Sequence, residues 1–425
     1  MQKKFLLFLV FTIFIVLAFL FRLVPQTYTQ FTSTTLELVN PLISFIRQEL
    51  NLARPNPCAV DVKNSILVPK QAPTIQQAVD QLQLGTKGQV LVFPGTYVEN
   101  VRIPEGKKVV IRGLFGDKKT KLRALQQDEP AMSIAAGGEA CIIGLSINGG
   151  SAGIEAGEIK FVEQVKNTAI KSTEIKNIPL KPRPHLVRPA KLVAVQDTSI
   201  SAAKRGLLLF ADNLEVRGGQ TTRNFGWGAV AIGQRIRFTN FNASVNLGGG
   251  LAVSSGLLGG ICGITSEISV TSEAVFDDVS VLSNDGPGIT ICGANVLIEG
   301  PSDIGFNQGF GVLTIDSSDT VITDGTAVAL NEPFTDGTYG DGIYAVDSNL
   351  EVRDGPFASF NARAGIIYNS AGGLVRDMSV MGNQFGIALE CGGDPVIQDD
   401  VYFALNEVDD VTVGLCLEPP PAVEP

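Results

Sequence analysis

Between Gly206 and Leu417 the apolar and polar positions repeat about every 22 residues. Each repeat is marked by an Asn followed three to five residues later by Gly and an aliphatic pair. The mark reads Asn224-Phe-Gly-Trp-Gly-Ala-Val, then Asn246-Leu-Gly-Gly-Gly-Leu-Ala, then Asn284-Asp-Gly-Pro-Gly-Ile. It returns as Asn307-Gln-Gly-Phe-Gly-Val, Asn361-Ala-Arg-Ala-Gly-Ile and Asn383-Gln-Phe-Gly-Ile. Between these marks lies a second strand signal: Asn213-Leu-Glu-Val-Arg-Gly recurs as Asn349-Leu-Glu-Val-Arg-Asp, and Thr320-Val-Ile-Thr-Asp, Gly373-Leu-Val-Arg-Asp and Pro395-Val-Ile-Gln-Asp fill the same slot. A third short strand leads into each Asn, as in Val401-Tyr-Phe-Ala-Leu-Asn406.

Three short alternating strands per repeat, with no helical period, predict a β-solenoid whose coils stack to share one core. Stacked about 4.8 Å apart, the Asn side chains form a ladder. Asn suits the turn because it tolerates the left-handed region and bonds its own backbone. Gly suits the tight corner beside it.

Composition narrows the function classes. Only 18% of residues are charged and 46 of 425 are Gly, which favours a turn-rich β protein over disorder. A net charge of −10 argues against nucleic acid as a partner, and a single His, His185, removes multi-histidine metal sites. None of the six Cys forms a CxxC pair. The repeat places Cys391 and Cys416 on neighbouring coils, and Cys262 and Cys292 likewise. They are read either as buried thiols or as disulfides, and an export signal favours disulfides.

The chain opens with Lys3-Lys4 and 17 uncharged residues, Phe5 to Phe21. This is a signal peptide or a membrane anchor, and the lack of a small-x-small cleavage site favours an uncleaved single-pass anchor with the body outside the cytoplasm. Cleavage would instead give a secreted protein. Residues 1–25 are assigned to the anchor, 26–57 to an amphipathic helix and linker, 58–417 to the solenoid and 418–425 to a Pro-rich tail.

Thr74 N-caps a short helix, Ile75-Gln-Gln-Ala-Val-Asp-Gln-Leu. Strands follow around Val90-Leu-Val-Phe, Val98 to Ile103 and Lys107-Lys-Val-Val-Ile-Arg-Gly, with the turn Pro94-Gly-Thr-Tyr between the first two. The order Thr-Ile-x-x-Ala-Val, then Pro-Gly-Thr-Tyr-x-Glu-Asn-Val, then a strand ending in Gly resembles the start of pectin methylesterases and the wider pectin-lyase-like superfamily. The resemblance is specific over Thr74 to Leu122 and architectural beyond. It implies an all-β, right-handed parallel β-helix with an N-terminal capping helix.

The stretch Gly157 to Lys191 breaks the repeat. It holds eight cations against three acids in an acidic protein, and its prolines exclude a central strand. Lys181, Arg183 and Arg188 are therefore candidate ligands for an anion, an acidic polysaccharide or lipid headgroups, unless the stretch is merely a tolerated surface loop.

Three sets of residues are weighed for chemistry. Gln196-Asp197-Thr198 matches the Gln-Asp-Thr that the resemblance assigns to an oxyanion donor and an acid, but the family's second Asp motif is absent, which leaves a chance tripeptide as the plainer reading. Asp324, Asp354, Asp377 and Asp399 end the second-signal strand of their coils, so stacking makes an acidic ladder able to hydrolyse glycosides or hold Ca²⁺, unless Asp is there as a turn former. Arg353 and Arg376 occupy matching slots one coil apart, where a lyase of this superfamily has an Arg base and a solvated face has ordinary charges. Trp227, Tyr339 and Tyr344 suit sugar stacking or core filling. No resident metal or cofactor is assigned, with Ca²⁺ the one cation the ladder allows. The missing motifs favour a non-catalytic, membrane-anchored β-helix that binds a glycan or partner. The alternative is a carbohydrate-active enzyme of esterase, lyase or glycosidase type acting on an acidic polysaccharide.

Overall fold

The computed structural model describes residues 57–60, 64–158, 188–255, 272–315 and 318–415. The chain divides into Met1–Ala59 and Val60–Pro425. The apolar stretch 5–21, the segment 26–56, the centre of the basic insertion and the tail lie outside the described residues. Among those described, no helix is long and apolar enough to cross a membrane.

The second unit is a parallel β-helix. Among the described residues its strands form a 23-stranded and a 12-stranded sheet, and every pairing of these strands is parallel between successive coils. A typical coil runs Asn349–Val352, Phe357–Ser359 and Ala364–Asn369, the next Gly372–Val375, Ser379–Met381 and Phe385–Glu390. In-register pairing, for example Leu350 with Gly373 and Val352 with Val375, keeps like positions stacked. Inward side chains make one continuous core from Val68 to Ile387. Phe238 and Phe276 meet edge to face at 5.5 Å within it.

In coils such as those of Asn213–Arg217 and Asn295–Glu299 the first strand alternates between core and surface. The third does not. Ala229–Ile232, Asp341–Val346 and Ala364–Asn369 are buried along their whole length, on both faces, which is why they read as unbroken small and aliphatic runs.

The Asn ladder is present and longer than the sequence marks suggest. Asn224, Asn246, Asn284, Asn307, Asn331, Asn361 and Asn383 each donate from Nδ2 to the Oδ1 of the next, ending on Asn406. Each Oδ1 also accepts the backbone N–H of the preceding ladder Asn, for example Asn361 N to Asn383 Oδ1 at 2.9 Å. The left-handed residue is not the Asn but its predecessor: Arg223, Val245, Ser283, Phe306, Leu330, Phe360, Gly382 and Leu405 have φ between 55° and 66° or close to it. That geometry turns the Asn inward, where its amide is buried. The glycine after it is dictated by the ladder, since a Cβ on Gly342 would lie 2.7 Å from Asn361 Nδ2 and 2.5 Å from the Gly365 carbonyl.

The residues carrying the family resemblance are structural. Thr74 accepts from Gln77 N, and the Glu99 carboxylate accepts from Ile75 N at 2.9 Å and Gln76 N at 2.8 Å. Both satisfy the first turn of helix α1 (Ile75–Gln81), where the helix dipole favours an anion. Its far end is capped by Lys107 Nζ, which donates to the carbonyls of Val79, Asp80 and Leu82. Ile75, Ala78 and Val79 join the solenoid core.

Candidate functional site

The strongest candidate lies where the repeat is interrupted. Gly follows Asn by four residues at Asn307/Gly311 and Asn361/Gly365, but Asn331 and Gly342 are eleven apart. The added residues form a turn closed by Phe334 N to Thr338 O at 2.9 Å. It carries Phe334 and Tyr339 over Phe310 and Tyr344, ring centroids 4.9 to 6.1 Å apart. These rings belong to an apolar cluster with Leu313, Val346, Ile367 and Ala388.

Beneath the turn lies a charged network. Asp341 is fully buried, and the Arg363 guanidinium grips it through Nε to Oδ1 at 2.8 Å and Nη2 to Oδ2 at 2.6 Å. Ala364 N donates to the same Oδ1 at 3.1 Å. Arg363 Nη1 stands 3.5 Å from Glu390 Oε1, which has no hydrogen bond. Glu390 Oε2 accepts from Tyr344 Oη at 3.1 Å, and Asn369 Nδ2 donates to Tyr344 Oη at 2.9 Å. Arg363 also lies over the faces of Tyr339 and Tyr344, at 5.3 and 5.8 Å. Its side chain keeps 15% exposure against 0% and 1% for its two carboxylates.

Two carboxylates share one guanidinium in a dry site, so the charged forms are disfavoured. Burial pushes Asp341 up to about 6, against the lowering pull of Arg363. Burial raises Glu390 as well, again opposed by Arg363. Burial also raises both phenols, with Arg363 drawing each back. The result is a cluster of acids and phenols, all with raised pKa values, around a cation whose side chain keeps 15% exposure.

The other candidate residues fall into place singly. Asp197, Asp324, Asp354 and Asp377 all have positive φ, at 46°, 54°, 64° and 41°, and occupy the same turn as Gly218, Asn240, Asp278 and Gly300. Gly, Asn and Asp are the residues that region tolerates, so the turn explains the acidic ladder. Asp399 stacks on Asp377 and is exposed. Gln196 pairs in register with Arg217, and Asp197 takes the left-handed turn that follows it. Arg353 and Arg376 both reach Asp354, Arg376 at 3.3 Å, and Arg353 also reaches Glu351 at 3.4 Å. Arg188 is paired with Glu105 at 3.3 Å and Glu158 at 3.7 Å, and an antiparallel bridge joins Glu158 to Arg188, bringing the ends of the basic insertion together. Lys181 and Arg183 lie outside the described residues. Trp227 is buried, as core filling expects.

Cys58, Cys141, Cys292 and Cys391 are disulfide-bonded. Cys262 and Cys416, the expected partners of Cys292 and Cys391, lie outside the described residues. Among the described residues no group of three or more His, Cys, Asp or Glu is placed to hold a metal ion.

No family model and no curated protein matches the chain. Solved structures do. The A-module of a mannuronan C-5 epimerase from Azotobacter vinelandii superposes with a TM-score of 0.54 at 12% identity, covering 77% of this chain and 89% of that one. A second such A-module from the same organism gives 0.49 at 14% identity, over 82% and 94%. The catalytic domain of a GH87 α-1,3-glucanase, in complex with tetrasaccharides, gives 0.49 at 12% identity, over 84% and 66%. At these identities the likeness is one of fold, the parallel β-helix.

Proposed function

We propose that this protein is an exported carbohydrate-active enzyme whose substrate is an acidic polysaccharide, with Arg363 at the centre of its site. The observation that supports this is the Asp341–Arg363–Glu390–Tyr344 network under the Phe334/Tyr339 turn. A planar guanidinium held bidentately by one carboxylate, its side chain still 15% exposed, is suited to receive a second carboxylate from a ligand. A uronate would be such a carboxylate, and neutralising it acidifies the adjacent C–H. The half-buried Tyr339 phenol, beside Arg363, is the proton-transfer group at the mouth. Asp341, Glu390 and Tyr344 position the cation. Hydrolysis by paired free carboxylates fits less well, because both buried acids here are tied to one arginine. An epimerase module of the same fold supports the reading at the level of architecture only.

The non-catalytic, glycan-binding reading keeps one supporting observation: the residues that match esterase and lyase patterns, Asp197, Asp354 and Arg353 among them, serve turns and surface ion pairs. Incubating the protein with mannuronan, polygalacturonate and a neutral glucan, with and without Ca²⁺, separates the two. Proton NMR reads epimerisation and ultraviolet absorbance reads unsaturated ends. Conversion lost in Tyr339→Phe and in Arg363→Met supports the enzyme. Binding without conversion supports the alternative.

Export is proposed on the disulfides, which persist outside reducing compartments. Anchoring by residues 5–21 is proposed from their apolar run. A protein that stays with the membrane fraction after deletion of residues 1–22 would contradict it.

A further inference from the structure

Successive coils pass through the left-handed region at the end of the second-signal strand and again just before the ladder Asn, and the two turns differ in the residues they carry. At the first turn stand Gly144, Asp197, Gly218, Asn240, Asp278, Gly300, Asp324, Asp354 and Asp377, residues that adopt the conformation readily. At the second, just before the ladder Asn, stand Arg223, Ser283 and Gly382 but also Val245, Leu405 and, on three consecutive coils, Phe306, Leu330 and Phe360. Bulky and β-branched residues with positive φ are outliers. Val245, Phe306, Leu330, Phe360 and Leu405 are also exposed, between 41% and 79%. Folding explains neither the side chains nor their exposure, because the same coil shows which residues the conformation prefers.

Backbone bonds place them in stacked register: Phe306 N donates to Ala329 O beside Leu330, Leu330 N to Ser359 O beside Phe360, and Phe360 N to Met381 O beside Gly382. Gly382 leaves room for its neighbour, since a Cβ there would lie 2.5 Å from the Phe360 ring. The ridge is one side chain wide and advances about 4.8 Å per coil, close to the length of one pyranose ring. Beside it, on the outer face of the short second strands, Phe357 and Tyr402 are exposed two coils apart, with Ser379 between them. The ridge adjoins the candidate site along the chain. Leu330 precedes the interrupted turn, and Phe360 lies three residues before Arg363.

We propose that Phe306, Leu330 and Phe360, with Phe357 and Tyr402, form a track on which a linear polysaccharide lies along the solenoid axis, stacking ring faces on the exposed side chains. A one-residue-wide ridge with the coil's own repeat matches a linear polymer better than a globular partner. The inference rests on the polysaccharide reading above and extends it from the Arg363 centre to neighbouring sugar units.

The test is Phe306→Asn with Phe360→Asn in the full chain, neither residue belonging to the proposed catalytic group. Affinity electrophoresis through gels containing alginate, polygalacturonate or dextran reads binding, and thermal unfolding reads stability. The expected result is an unchanged or raised unfolding temperature, because Asn suits positive φ, together with roughly tenfold weaker retention for the loss of two rings. Unchanged retention overturns the track. So does a lowered unfolding temperature, which would make the rings packing groups. Failure of all three gels to retain the wild type overturns it, as does a wild-type dimer that the variant dissolves in light scattering. Arg363→Met fails separately. If it leaves conversion intact while the Asn variants lose retention, the catalytic assignment falls and the track stands.

Discussion

Replacing Arg363 with Met should make the protein's stability depend on pH in a range where the wild type does not. In the wild type the buried Asp341 carboxyl titrates at about 6, above its ordinary 3.8, because burial outweighs Arg363. An acid with a raised folded pKa stabilises the fold below its unfolded pKa. That contribution falls as pH rises from 3.8 to about 6 and is flat above. Without Arg363 the folded pKa moves higher, so the loss continues past pH 6 at about 1.4 kcal/mol per pH unit. Between pH 6 and 8 the variant should lose up to about 2.7 kcal/mol relative to wild type for one retained proton, and Glu390, which Arg363 also holds down, acts in the same direction. At neutral pH the total should approach the roughly 3–5 kcal/mol typical of a broken buried pair. Urea unfolding at several pH values, followed by the single, buried Trp227, reads this directly. A wild-type minus variant difference that is the same at pH 6 and pH 8 would refute the reasoning.

Asn307→Ala should destabilise by about 3 kcal/mol or more, since it strands the Val281 carbonyl and both Asn284 donors that now meet Asn307; chemical unfolding measures it. Arg353→Gln and Arg376→Gln should each change stability by less than about 1 kcal/mol in the same assay, because their ion pairs are about one-third exposed. Cys391 and Cys416 should resist alkylation until reduced in the exported protein, as mass spectrometry would show; free reaction of both would refute that pairing.

Most of the architecture was legible in the sequence because the ladder constrains it twice. Asn must recur where its amide can bond the next coil, and Gly must follow because a Cβ would strike that amide. What stayed hidden depends on neighbouring coils rather than neighbouring residues. The strain sits on the residue before each Asn, which no residue preference announces for Phe306 or Leu330. Asn331 escaped the pattern because the insertion displaces its Gly to Gly342, and that displacement was the available signal for the site. Arg363 stands two residues after its Asn, where Gly226, Gly248, Gly286 and Gly309 stand in other coils. Its partners Asp341 and Glu390 come from the coils before and after it, which only register brings together. Asp324 and its stacked relatives drew notice because they repeat, and they repeat because a left-handed turn does.

The most direct test of the central claim is proton NMR of mannuronan and polygalacturonate incubated with wild-type protein and with Tyr339→Phe, a variant that keeps the aromatic packing and removes only the phenol. The account predicts a change in uronate signals or new unsaturated ends with wild type, and none with the variant at equal folded protein. Equal conversion by both, or none by either, would contradict it.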